Sequence, residues 1–173
     1  MTDLIPYFAY GTTQKGFAHH RRLADLLGEP VGRVRTLSAH GVVVPHRAAC
    51  SNPGCSYVHR MAVLVSGLEP RAEGDLFLLS QDAVAELDRL ELAGPYVRMP
   101  VTVVSPDGGA THTAQAYGAR EPQRWRALVE RGRAEALSAY PRELASAEWH
   151  KDCCLRAPGH PPPHDVVDPL EGV

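Results

Sequence analysis

Two clusters of residues, about eighty positions apart, could do chemistry together. The first is Tyr10-Gly11-Thr12-Thr13, within a stretch that runs from Phe8 to Gly16 and closes on His19-His20. The second is Glu91, at the end of Leu87-Asp88-Arg89-Leu90-Glu91 and shortly before Tyr96-Val97-Arg98. A short apolar strand running into a glycine-containing turn can aim several backbone N–H groups at one anion. Pre-oriented amides make a carboxylate cradle because a charged acceptor strengthens each hydrogen bond. Gly11 is expected to give that turn backbone angles closed to other residues. A single glutamate where a helical pattern stops can serve as a proton acceptor and then as a proton donor, provided partial burial or a nearby negative dipole raises its pKa. The C-terminal end of its helix is expected to push in that direction. Each cluster also has a plainer reading, a strand-to-helix turn and a surface glutamate ending a helix. No Ser-His or Cys-His nucleophile arrangement is recognisable.

The elements that must position these groups follow from hydrophobic period and turn residues. Short β-like runs lie at 5–9, 36–44, 61–68, 74–79, 97–104 and 113–117, separated by Gly, Pro or Asn turns such as Ser105-Pro106-Asp107-Gly108-Gly109. Helical patterns lie near 20–27, over 81–91 and over 122–140. The second opens after Ser80, a good N-cap, sets Val84, Leu87 and Leu90 on one stripe, and is stopped by Gly94-Pro95. The expected fold is α+β: a small six-stranded barrel or curved mixed sheet flanked by helices.

Together the two clusters resemble the motifs of the γ-glutamylcyclotransferase-like superfamily, which includes AIG2-like proteins. There a Tyr-Gly-Ser/Thr-Leu loop, a Gly six residues after the Tyr and an Asn-His precede a distant Leu-Asp-x-x-Glu-Gly and a Tyr-x-Arg. Tyr10, Gly16, His20, Glu91 and Arg98 fall on these positions; Thr13, His19 and Leu92 depart from them. The resemblance spans roughly residues 6–117. It implies that Glu91 is the catalytic acid/base, that Tyr10, Gly11, Thr12 and Thr13 hold the α-carboxylate of a γ-glutamyl amine, and that Tyr117 lines the pocket. The implied reaction releases 5-oxoproline and a free amine without cofactor or metal. Removal of a γ-glutamyl protecting group in antibiotic biosynthesis is one expected setting, and general peptide or glutathione turnover is another. A non-catalytic binding module on the same fold and an amidohydrolase releasing glutamate are the alternatives. Arg98 either touches substrate or pairs with a carboxylate such as Asp88.

Composition excludes other classes. The chain has 173 residues with 44% hydrophobic content, enough to bury a core without staples, and a formal charge of −2 from 18 basic and 20 acidic residues. No basic footprint for nucleic acid or anionic lipid stands out. No run reaches the roughly 20 apolar residues of a membrane span. A cytosolic protein acting on a small molecule is expected, with oligomeric state open. Only Lys15 and Lys151 are lysines against many arginines, which hints at a GC-rich genome.

The chain divides into an expected domain over 1–150 and a proline-rich tail over 151–173. His46, Cys50, Cys55 and His59 could hold a structural zinc ion, Cys153-Cys154 could contribute ligands instead, and Cys50 and Cys55 could form a disulfide; ordinary loop residues are the remaining reading. The tail, whose prolines favour extended backbone, is expected to wrap over the surface or stay mobile; in the other reading it joins the 46–59 loop in forming the side of the pocket that selects the amine.

Overall fold

The structure, a computed structural model, describes residues 3–45 and 62–142. Eight strands and four helices follow one another as β1 (Ile5–Ala9), α1 (Ala18–Arg22), α2 (Ala24–Leu27), β2 (Gly32–Thr36), β3 (His40–Pro45), β4 (Val63–Ser66), β5 (Glu73–Leu79), α3 (Gln81–Glu91), β6 (Tyr96–Val104), β7 (Thr111–Ala119), α4 (Pro122–Glu130) and β8 (Ala134–Leu137). The α+β class holds, with two strands more than the sequence pattern suggests. The apolar run 36–44 takes in only the last residue of β2 and most of β3, and the chain changes partner between them: Arg35 and Thr36 pair with β6, whereas His40 to Pro45 pair with β4 and β8. The helical run 122–140 stops at Glu130. Arg133 N–H bonds to Leu128 O and Gly132 N–H to Val129 O, with Gly132 at φ +64, which is a Schellman closure. Ala134 to Leu137 could continue a helix by propensity, but the edge of β3 takes them as β8.

The strands close into a ring. β1 is antiparallel to β5, β5 to β2, β2 to β6 and β6 to β7, and β7 returns parallel to β1. A branch, β4–β3–β8, grows from the edge of β7 that also meets β1. β1 alternates as a strand between two layers must: Phe8 and Tyr10 pack inside the ring with Val34, Leu76 and Val101, while Tyr7 and Ala9 face α3 with Phe77, Val84 and Leu87. A third cluster joins the branch to α4 through Val43, Val63, Trp125 and Leu128. Complete burial of side chains this large stabilises by about 1.5–3 kcal/mol each.

α3 is the element that carries Glu91. Ser80 caps it, its hydroxyl accepting from Ala83 N–H at 3.2 Å, and Ala83, Val84 and Leu87 are buried. Leu90, expected on the same stripe, is exposed instead. The helix ends at Glu91, and Gly94 N–H bonds back to Glu91 O at 3.1 Å, turning the chain through Pro95 into β6. Among the described residues no helix is long and apolar enough to cross a membrane.

Candidate active site

The shared edge of β7 makes the cavity. Gln115 pairs with Tyr7 of β1, and three residues on, Gly118 pairs with Leu64 of β4. β1 therefore leaves β7 where β4 joins it, and the chain after β1 peels away as the Tyr10–Gly16 turn. The Tyr10 hydroxyl fills the parting: it donates to Tyr117 O and is met by the backbone N–H of Leu64. A cavity of about 220 Å³ opens beside this point.

Glu91 from the end of α3 and the five residues expected to bind substrate, Tyr10, Gly11, Thr12 and Thr13 of the turn and Tyr117 of β7, all line this cavity. The wall also contains residues not assigned to the site from the sequence: Tyr7, His19, Ala62 and Tyr96, the last being the tyrosine of the Tyr-x-Arg motif. Tyr7 and Tyr96 look like strand residues of a core, and only closure of the ring and the turn after α3 bring them to Glu91. His19 had a signal, as a polar substitution at a motif position. His20, on the motif's histidine, turns away: it is buried against Phe77 and its Nε2 lies 3.4 Å from Gly28 O. Arg98 does not line the cavity and donates to Asp88 Oδ2 at 2.9 Å.

Glu91 is half-buried, and burial pushes its carboxyl up to about 7. Desolvation is the cause, the partial burial that the sequence reading asks for. The charged form is poorly solvated and no protein donor reaches it among the described residues. Four tyrosines stand around the cavity, yet each has its hydroxyl engaged elsewhere. Tyr7 meets Thr13 Oγ1 at 3.2 Å, Tyr96 donates to Ala62 O at 3.0 Å, Tyr117 donates to Asp88 at 2.8 Å, and Tyr10 is held as described. Burial, with the charge of Glu91 adding to it, holds the phenols of Tyr7, Tyr10 and Tyr96 above the ordinary tyrosine range, so they stay neutral.

The opposite wall offers donors. Within the turn, Gly11 O accepts from Gln14 N–H and Thr12 O from His20 N–H, while the N–H groups of Gly11, Thr12 and Thr13 have no protein acceptor among the described residues. Thr12 Oγ1 lies 2.7 Å from His19 Nδ1. The conformational reason expected for Gly11 does not hold. Its φ is not positive, and a Cβ there would meet only Ala62 Cβ, at 3.9 Å, so the glycine keeps the cavity wall low; Gly16, at φ +85, is the residue that needs to be glycine. Three amides without a protein acceptor among the described residues line the same small cavity as a carboxyl pushed up to about 7, and such an arrangement can bind an anionic group and move a proton on the same molecule.

Among the described residues no group of three or more His, Cys, Asp or Glu could hold a metal. His46, Cys50, Cys55, His59, Cys153 and Cys154, with the tail over 151–173, lie outside the described residues.

The fold is a closed mixed barrel in which the turn after β1 and the half-buried Glu91 at the end of α3 line one cavity. Residues 7–149 match the family described as "Gamma-glutamyl cyclotransferase, AIG2-like", and the chain belongs to that family. Among solved structures it is similar to an AIG2-like protein from Mus musculus, at 17% identity and a TM-score of 0.53, covering 68% of this chain and 78% of that one. It is also similar to YkqA from Bacillus subtilis, at 20% identity and a TM-score of 0.51, over 75% of this chain and 48% of that one. An uncharacterized protein from Homo sapiens matches at 14% identity and a TM-score of 0.50, over 76% and 80%. These likenesses are of fold. No curated protein matches the chain.

Proposed function

We propose that this protein is a γ-glutamyl cyclotransferase that releases 5-oxoproline and a free amine from a γ-glutamylated amine. The observation that carries the reading is the shared cavity: Glu91, with a carboxyl near 7, faces the free amides of Gly11, Thr12 and Thr13. In this reading the amides hold the substrate's α-carboxylate. Glu91, ionised, takes a proton from the adjacent α-ammonium group. The freed nitrogen attacks the γ-carbonyl, forming the C–N bond of a five-membered lactam. Glu91, now protonated, gives its proton to the departing amine nitrogen as the old amide bond breaks; ionised again, it takes the second proton from the attacking nitrogen, leaving one N–H on the lactam, and passes that proton to the released amine, which departs as its ammonium. Proton and bond balance close with one carboxyl and no other reagent. Binding both ends of one flexible molecule also supplies the near-attack geometry that ring closure needs.

The protein's partner in this proposal is a small molecule, without nucleic acid or membrane, in the cytosol. A γ-glutamyl protecting group on a biosynthetic amine, as in antibiotic assembly, belongs to the proposal too; its support is the arginine-over-lysine composition, which suits a GC-rich source.

One observation favours a second reading. Thr12 Oγ1 and His19 Nδ1, 2.7 Å apart, have the contact of a nucleophile and its base, which an amidohydrolase releasing glutamate would use. Reaction in ¹⁸O-labelled water separates the two. Cyclisation gives unlabelled 5-oxoproline, is abolished by N-acetylation of the α-amine, and fails on α-linked glutamyl amides. Glutamate carrying one label in its γ-carboxyl overturns cyclisation in favour of hydrolysis.

A further inference from the structure

On the far side of the Tyr10–Gly16 turn from Glu91 lies a buried polar chain that the reaction above does not use. Gln14, 2% exposed, lines a second cavity together with Arg33 and Asp75, and not the first. Its Nε2 donates to Tyr10 O at 2.7 Å and to Gly11 O at 3.1 Å, and its Oε1 accepts from Arg33 Nη1 at 2.7 Å. A guanidinium has only donors, so the contact with Arg33 fixes which end of the amide is oxygen, and both amide hydrogens are left for the two carbonyls. Asp75, 4% exposed, completes the chain: Oδ1 lies 3.3 Å from Arg33 Nη1 and Oδ2 accepts from Lys15 N–H at 2.7 Å.

In a trans peptide the C=O and the N–H point in opposite directions. Pulling Tyr10 O and Gly11 O toward Gln14 therefore turns the N–H groups of Gly11 and Thr12 away from Gln14, toward the cavity that contains Glu91. We infer that Gln14, oriented by Arg33 and Asp75, is a positioning residue that sets the selectivity of the site for substrates bearing an α-carboxylate. This rests on the cradle reading of the proposed function and deepens it: the specificity comes from a side chain that never touches the substrate.

The test compares two small probes that differ by one group. L-glutamine is the simplest γ-glutamyl amide, and 4-aminobutanamide is the same molecule without its α-carboxylate. Binding is followed by the amide resonances of Gly11 and Thr12, with folding checked by thermal melting. The wild-type protein is expected to prefer L-glutamine by about tenfold or more, as one or two charge-assisted hydrogen bonds would give. Gln14→Glu keeps the size and the Arg33 contact but cannot donate to the two carbonyls. It is expected to lose that preference while binding 4-aminobutanamide as before, a selective change that general loosening of the fold would not produce. Arg33→Gln, at a half-exposed position, should weaken the preference in the same direction and serves if Gln14→Glu fails to fold. A folded Gln14→Glu protein, or failing it a folded Arg33→Gln protein, that retains the wild-type preference overturns the inference and leaves the reaction assignment untouched. Wild-type protein without any preference overturns the cradle and the inference together. Preference without release of 5-oxoproline from any γ-glutamyl amine overturns cyclisation alone, and the positioning role stands.

Discussion

Tyr117 on β7 donates its hydroxyl to Asp88 Oδ1 at 2.8 Å, and Asp88 stands one helical turn before Glu91 on α3. Arg98 of β6 holds the other carboxylate oxygen. Burial, with Asp88 adding to it, pushes the Tyr117 phenol above its ordinary range, so this proton is committed to Asp88 and is not available to a substrate. The three residues tie the helix that carries Glu91 to the two strands beneath it. Asp88→Ala should therefore destabilise the fold by about 1.5–3 kcal/mol, the usual range for hydrogen bonds to a charged group, and Tyr117→Phe by less. Urea unfolding of both variants checks the order; equal and negligible effects would show that Asp88 does not anchor α3.

Glu91→Gln keeps the volume of the side chain and removes its proton chemistry. Turnover of a γ-glutamyl amine should fall by at least about a hundredfold, within the roughly 10²–10⁴-fold range of a positioned acid/base, while KM changes little. Steady-state kinetics on the folded variant is the measurement, and near-normal turnover would remove Glu91 from the mechanism.

The pH dependence of that reaction follows from which form of Glu91 is needed. Taking a proton from the substrate ammonium requires the carboxylate, and the carboxyl loses its proton at about 7. The wild-type kcat/KM should fall as pH drops through about 7, and the residual activity of Glu91→Gln should lack this limb.

Stability should carry the same signature with its own sign. The folded-state pKa of Glu91 is raised from 4.5, so over the interval up to about 7 the folded protein holds a proton that the unfolded chain has released. Stability is then full below about 4.5 and is lost as pH rises to about 7. The ceiling is roughly 3 kcal/mol, lowered by the solvent that still reaches the group. Thermal melting of Glu91→Gln against wild type should show the variant gaining relative stability from pH 5 to 7 and no more above it. A difference independent of pH would mean that the carboxyl titrates normally.

Thr12→Val separates a supporting hydroxyl from a nucleophile. The backbone amide stays, and only the contact with His19 Nδ1 is lost. With Glu91 in charge of the reaction, turnover should drop by no more than about tenfold, the cost of one ordinary hydrogen bond. Complete loss with fold and ligand binding intact would favour Thr12 as the attacking group.

The two halves of the site are legible in the sequence because both are local: a turn after a short strand and the end of a capped helix. Ser80 and Gly94-Pro95 mark the limits of α3 by chemistry that needs no knowledge of the rest of the fold. Tyr7 and Ala62 escape because a residue of an apolar run becomes a cavity wall only through partners far along the chain, here Gln115 and the joining of β4; Tyr96 stands in the Tyr-x-Arg motif but reads as core for the same reason. The split of 36–44 escapes for the same reason, since both pieces have strand character and only the change of partner divides them. β8 is hidden by propensity, as Ala-Glu-Ala-Leu after a helix reads as more helix until Gly132 is seen to close it. Leu90 shows the converse, an apolar residue at helical spacing left exposed, with no neighbour covering that face among the described residues.

The parting at Gly118 separates two jobs onto two frames. The ring of β1, β5, β2, β6 and β7 keeps the Tyr10 turn and the end of α3 at a fixed distance, and it closes without help from β3, β4 or β8. Ala62, directly before β4 on the branch, lines the cavity beside residues that the ring carries. A change of side chain at Ala62 would therefore alter the cavity wall from the branch side, while the carboxyl and the amides stay where the ring holds them.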